Sequence, residues 1–145
     1  MKKKKIMISA AIISAIIILA YIIIGNPIIA INNKKLQREV VSINSDYVEL
    51  NNIVPFEWDE VYTFEPYASK EQIEDIIGFK SNYIQETVSE GMVQLLFIKD
   101  HKVVCSVCGY SNALGYRIDF EGRIMYVDHA VFSVERDSGI VKLNY

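Results

Sequence analysis

The chain has 145 residues, of which 51% are hydrophobic and 23% charged, and its formal net charge is −3. This length fits one domain of ordinary size, and two cysteines are too few for a disulfide-rich scaffold. From Glu39 onward, eight Lys and Arg stand against eighteen Asp and Glu, a net charge of −10. Phosphate groups repel such a segment, so we expect no nucleic-acid partner and favour a cationic one.

The N-terminal region contains nineteen uncharged residues, at positions 6–24, directly after four lysines. A helix of that length is about 28 Å long, close to the roughly 30 Å hydrocarbon core of a bilayer. A cleaved signal peptide is the alternative, but no small-residue cleavage site follows. We therefore predict a transmembrane signal anchor within residues 1–31, giving a single-pass cell-membrane protein with a cytoplasmic N-terminus and an extracytoplasmic C-terminal domain.

After the apolar segment, Gly25, Asn26 and Pro27 are expected to interrupt the helix, because Pro removes a backbone donor. Residues 32–39 are predicted to form a polar linker, and residues 40–145 one domain. Within that domain, Ser69 and Gly78 are placed to begin and end a helix over 70–77. The rest of the domain carries mainly strand signals.

Those strand signals predict a hairpin and a meander. Residues 92–98 and 103–110 flank a short polar turn, as in a hairpin. A three-strand meander is expected from residues 116–120, 123–135 and 140–144, and further strands from 40–43, 47–50 and 61–64. The predicted fold class is α+β: an N-terminal transmembrane helix, then a small domain with a mainly antiparallel sheet and one or two helices on one face.

Cys105 and Cys108 form the only motif with potential chemistry. Three interpretations are open: two small strand residues, a local disulfide, or a redox or metal-binding pair assisted by His101 and His129. Residues three apart on a regular strand point to opposite faces, so a bridge between the cysteines needs a bend. No catalytic residue, cofactor or metal ligand is assigned.

An aromatic and acidic stretch at residues 56–67 holds the only Trp. Trp58, Tyr62, Phe64 and Tyr67 are candidates for an interaction patch, because aromatic rings beside carboxylates suit cations and peptides. The alternative is a strand that buries alternate aromatic residues.

The same stretch resembles a segment found in small uncharacterised bacterial envelope proteins, many with an N-terminal anchor or lipoprotein signal. The matching pattern of about fifteen residues is Trp58-Asp59-Glu60-Val61-Tyr62, Phe64, Pro66-Tyr67, Ser69 and Glu71. The resemblance implies a bacterial envelope setting and no particular activity.

The resulting functional hypothesis is a domain that binds a protein or an envelope component and has no catalytic activity. Its acidic and aromatic surface suits a basic partner, for example one that adds a strand to a sheet edge. A more specific alternative is an immunity or inhibitor protein that neutralises a toxin or enzyme. A second alternative, from another class, is a thiol-redox or metal-dependent protein that uses Cys105 and Cys108.

Overall fold

The computed structural model describes the backbone of residues 2–24 and 26–145, and the side chains of residues 6–19 and 26–145. The helices are α1 (Lys2–Ile24), α2 (Pro27–Val41), α3 (Leu50–Ile53), α4 (Lys70–Ile77) and α5 (Ser111–Leu114). The strands are β1 (Tyr47–Glu49), β2 (Glu60–Tyr62), β3 (Met92–Lys99), β4 (Lys102–Tyr110), β5 (Tyr116–Asp119), β6 (Arg123–Met125), β7 (Val131–Asp137) and β8 (Ile140–Asn144). A single 3₁₀ turn, Tyr126–Asp128, follows β6.

The predicted membrane anchor is corrected by the structure. Within the described part of the chain, no helix combines the length and the apolar character needed to cross a bilayer. The predictions of a transmembrane signal anchor, a single-pass cell-membrane location and an extracytoplasmic domain are therefore wrong for these residues. The other side chains of the predicted span, at 20–24, lie outside the described ones.

Helix α2 occupies the region predicted as a linker. The predicted interruption is confirmed, since α1 ends at Ile24 and α2 begins at Pro27, while Gly25 lies outside the described residues. The Asn26 side chain caps α2 by accepting a 3.0 Å hydrogen bond from the backbone N–H of Ile28. Leu36 and Val40 are fully buried. The predicted strand at 40–43 is wrong, because the buried residues of this segment recur with helical spacing and Val40 lies in the last turn of α2.

The first sheet has the strand order β4-β3-β2-β6 and is antiparallel throughout. The predicted hairpin is confirmed as β3 and β4. Asp100 and His101 connect the two strands and have φ angles of 48° and 56°. Two positive φ angles are what a type I′ turn requires, and this turn matches the right-handed twist of the flanking strands.

The second sheet has the order β1-β7-β8-β5 and corrects the predicted single sheet and its meander. Strand β5 pairs in parallel with β8, whereas β6 pairs with β2 in the first sheet. Only β7 and β8 form the expected hairpin. The turn at Gly122 reverses the chain, but β5 and β6 do not pair with each other. The Gly122 carbonyl instead accepts a 3.0 Å hydrogen bond from the backbone N–H of Thr63, which follows β2.

The first sheet is covered on both faces, which makes the domain three-layered. One face shares the main core with the second sheet and α2, through fully buried residues such as Leu95, Phe97 and Phe132. The opposite face packs against Ile73 and Ile77 of α4. Helix α4 has the predicted boundaries and capping box, and Gly78 ends it with a left-handed φ of 81°.

Candidate functional site

The two cysteines of the predicted motif lie on β4 and are free thiols. Burial raises the pKa of the Cys105 thiol and, to a smaller extent, the pKa of the Cys108 thiol. A thiol of raised pKa is protonated at neutral pH and is therefore a poor nucleophile and a poor metal ligand. Among the residues that the structure describes, no three His, Cys, Asp or Glu side chains are grouped to hold a metal ion. This geometry gives no support to redox or metal chemistry at the cysteines.

Neither histidine belongs to a metal-binding group within the described residues. His101 sits in the turn of the hairpin, and its ring contacts Phe79 edge-on at 6.4 Å between centroids. His129 Nδ1 lies 2.6 Å from Glu49 Oε1, so it forms a pair on the surface of the second sheet.

The four residues predicted as one interaction patch do not share a surface. Tyr62 is 7% exposed, stacks on Phe64 at 5.9 Å and donates a hydrogen bond to Glu60. Tyr67 is 61% exposed and stands in a turn with a φ of 67°. Trp58 is only 3% exposed and belongs to the main core. Much of the aromatic stretch is therefore structural, and of the four predicted patch residues Trp58 lines a cleft, together with Phe56.

This cleft, the Trp58 cleft, is a surface depression of about 450 Å³. It is formed by α3, the loop that follows α3, the last residue of β3 and the 3₁₀ turn. Its lining residues are Asn51, Val54, Pro55, Phe56, Glu57, Trp58, Asp59, Lys99 and Tyr126. Three of these nine residues are aromatic, and the ionic groups are Glu57, Asp59 and Lys99.

The indole of Trp58 is held rigidly by its aromatic neighbours. Its ring meets Phe97 edge-on at 5.7 Å and Tyr126 at 5.3 Å. Its Nε1–H group is buried and has no hydrogen-bond partner in the described part of the chain. Buried indole N–H groups usually have a partner, so this group is an exception that calls for an explanation.

Asn51 supplies a second buried polar atom without a partner in the same cleft. Its Nδ2 group donates a 2.7 Å hydrogen bond to the backbone oxygen of Tyr126. Because that oxygen can only accept, this bond determines which end of the amide is nitrogen. The other end, Oδ1, is buried and has no partner among the described residues. Two of the residues that line the cleft thus carry a buried polar atom without a partner among the described residues, one a donor and one an acceptor.

The rim of the Trp58 cleft is fixed by an ion pair and by backbone bonds. Lys99 Nζ lies 2.8 Å from Asp59 Oδ1, and the Asp100 N–H donates to Asp59 Oδ2 at 2.9 Å. These two hydrogen bonds lower the pKa of the Asp59 carboxyl. The Asp59 carbonyl accepts a 2.8 Å bond from the Tyr126 N–H. The cleft is therefore organised without a ligand.

The outer edge of β4 is covered by side chains from α2. Asn33 bonds both backbone groups of Ser106: Nδ2 donates to the carbonyl at 2.6 Å and Oδ1 accepts from the N–H at 3.0 Å. Asn32 donates to the carbonyl of Val104 at 2.9 Å. These amides take the place of a neighbouring strand, so this long edge does not offer the free groups that strand addition requires.

The chain matches no family model, no curated protein and no solved structure. The candidate site therefore depends on its own chemistry. Trp58 stands out in the sequence, whereas Asn51, Lys99 and Tyr126 follow no recognisable spacing, and the last two lie far from Trp58 along the chain.

Proposed function

We propose that this domain binds a segment of a partner protein, and that the Trp58 cleft holds the backbone of one partner residue. The observation that carries the proposal is that two residues lining one cleft, Trp58 and Asn51, each have a buried polar atom, Nε1–H and Oδ1, without a partner among the described residues. The peptide reaches these atoms when side chains of the rim move aside. A buried polar group without a partner costs about 1–3 kcal/mol. A ligand that satisfies both groups recovers this free energy on binding.

An extended peptide has the matching chemistry. In a strand-like segment, the N–H and the C=O of a single residue point to the same side of the chain. The C=O of such a residue accepts a hydrogen bond from Trp58, while its N–H donates one to Asn51. The side chains of Phe56, Pro55 and Tyr126 then provide apolar contact.

The proposal is tested with the smallest ligand that offers both groups, N-acetylglycine N′-methylamide. Trp58 is the only Trp, so ¹⁵N-labelled full-length protein gives one indole N–H signal. We expect a saturable downfield shift of this signal during titration. A shift that stays linear, or no shift, would refute the proposed site.

Two variants provide the controls. Asn51→Leu keeps the branched shape of the side chain but removes both the Oδ1 acceptor and the Nδ2 bond to Tyr126, and we expect it to weaken binding of the glycine probe at least fivefold. Asn112→Leu makes the same substitution at an exposed position of α5 outside the cleft, and we expect unchanged binding. Equal binding by both variants would contradict the role of Asn51.

A further inference from the structure

We propose that the partner residue in the Trp58 cleft has a cationic side chain, so that the domain recognises a basic peptide segment. This inference rests on the proposed function and adds the chemical class of the partner. It depends on the charges and rings that surround the two unused groups.

The ionic groups around the cleft leave a negative excess. Asp59 is compensated by Lys99 and by the N–H of Asp100. Glu57 lines the cleft, is exposed, and forms no ion pair among the described residues. The pKa of Lys99 is raised first by its hydrogen bond to Asp59 and further by the charges of Asp59, Asp100 and Glu57. The ionic groups that line the cleft are therefore two carboxylates, Glu57 and Asp59, and one ammonium group, Lys99, and an added cation lowers this imbalance.

The walls of the cleft suit a cationic side chain with a long stem. Lys and Arg pack their aliphatic stems on apolar surfaces while the charged end stays in water. Phe56, which is partly buried, and Tyr126, which is exposed, offer such a surface, and aromatic faces attract cations. An anionic side chain would meet Glu57, and the nearby Lys99 is already paired.

The negative net charge of the domain also favours a cationic partner, at longer distances than the cleft does. Counted from Pro27, so that α2 is included, the domain has eleven Lys and Arg against eighteen Asp and Glu, and this excess of seven negative charges attracts basic segments and accelerates their association at low salt. The cleft and the whole domain therefore select for the same partner charge.

The test compares N-acetyl-lysine N′-methylamide with N-acetyl-norleucine N′-methylamide, a matched probe without the ammonium group. Both are titrated into the full chain and followed through the Trp58 indole signal. We expect the lysine probe to bind about fivefold more tightly at low salt, and the difference to shrink at high salt. The corresponding glutamate probe should bind more weakly than norleucine.

The variant Glu57→Gln tests whether the Glu57 carboxylate causes the preference for the lysine probe. We expect this variant to reduce the preference for the lysine probe over the norleucine probe to about twofold. Glu90→Gln is the matched control, because Glu90 is exposed and precedes the far end of β3, about 30 Å along the strand from Lys99.

Each outcome has a distinct meaning. Binding of the glycine probe without a lysine preference would overturn this inference and leave the proposed function intact. A lysine preference that survives in Glu57→Gln would also overturn it, because the cation would lie elsewhere. If the glycine probe does not bind to the wild-type protein, both this inference and the proposed function are refuted.

Discussion

Replacement of Asn33 by Ala tests whether α2 acts as a substitute strand along the edge of β4. The change removes both hydrogen bonds between Asn33 and the backbone of Ser106, and also the 3.1 Å contact from the Cys105 thiol to Asn33 Oδ1. Ser106 is 4% exposed, so water does not readily replace the lost partners. Its N–H and C=O would be left buried and unpaired.

The magnitude follows from these losses. Two hydrogen bonds contribute about 0.5–1.5 kcal/mol each, and a buried unpaired group raises the cost toward 1–3 kcal/mol. The better helix propensity of Ala offsets about 0.6 kcal/mol. We therefore expect Asn33→Ala to lower the free energy of unfolding by about 2–3 kcal/mol.

Urea denaturation followed by Trp58 fluorescence measures this free energy, since the single Trp is buried in the main core. Lys35→Ala, at an exposed position of the same helix, should change it by less than about 0.5 kcal/mol. Hydrogen exchange supplies a local measurement: the Ser106 amide should lose protection in Asn33→Ala alone. Wild-type stability together with a protected Ser106 amide would refute the substitute-strand interpretation.

Three further predictions follow from single contacts. At pH 7.5, iodoacetamide should label Cys108 slowly and Cys105 only after unfolding, because Cys105 is fully buried and burial raises the pKa of both thiols. Mass spectrometry of digests measures the labelling, and rapid labelling of native Cys105 would contradict its burial. Gly78→Ala should lower the stability of the domain in thermal unfolding by about 1 kcal/mol, because Gly78 has a left-handed φ of 81° that Ala adopts only with strain. No atom lies within 4 Å of an added Cβ, so a clearly larger loss would contradict this backbone explanation. Lys99 and the Asp100 N–H lower the folded pKa of Asp59, so this carboxylate contributes stability above the unfolded pKa of about 3.9 and loses it as pH falls through the folded pKa. In Asp59→Asn the acid decline of stability should accordingly be shallower, and an unchanged pH profile would show that Asp59 is not responsible.

Local signals in the chain predicted the elements that depend on neighbours in sequence. The capping box of α4 is formed by residues three apart, and the hairpin of β3 and β4 closes over a short polar turn. In both cases the groups that satisfy each other lie within a few positions, so the pattern is readable without tertiary information.

Long-range pairing could not be predicted in the same way. The turn at Gly122 indicates a chain reversal, but nothing local determines whether the flanking strands pair with each other. Strand β6 instead pairs with β2, some sixty residues away, and β5 pairs with the last strand. Helix α2 was missed because its polar residues suggested a linker, although Asn32 and Asn33 are used to bond β4.

The candidate site also depends on contacts between residues that are far apart in sequence. Trp58 was selected because it stands out by composition, whereas Asn51 and Tyr126 have no such signal. These two residues lie 75 positions apart and meet through one hydrogen bond. The unused atoms that make the cleft chemically distinctive are visible only once the neighbours of each polar group are known.

The coverage of β4 also bears on how a partner protein can bind. Strand addition at this edge would require α2 to move, and Leu36 and Val40 would then leave the main core. Truncating a buried Leu alone costs about 2–5 kcal/mol, so displacing both side chains opposes binding strongly. The other sheet edges are β1, β5 and β6, with only three or four residues each. The walls of the Trp58 cleft are held by ring contacts and backbone bonds, but Trp58 Nε1 and Asn51 Oδ1 are covered in the free domain, so the proposed peptide gains its two hydrogen bonds only if side chains of the rim move aside.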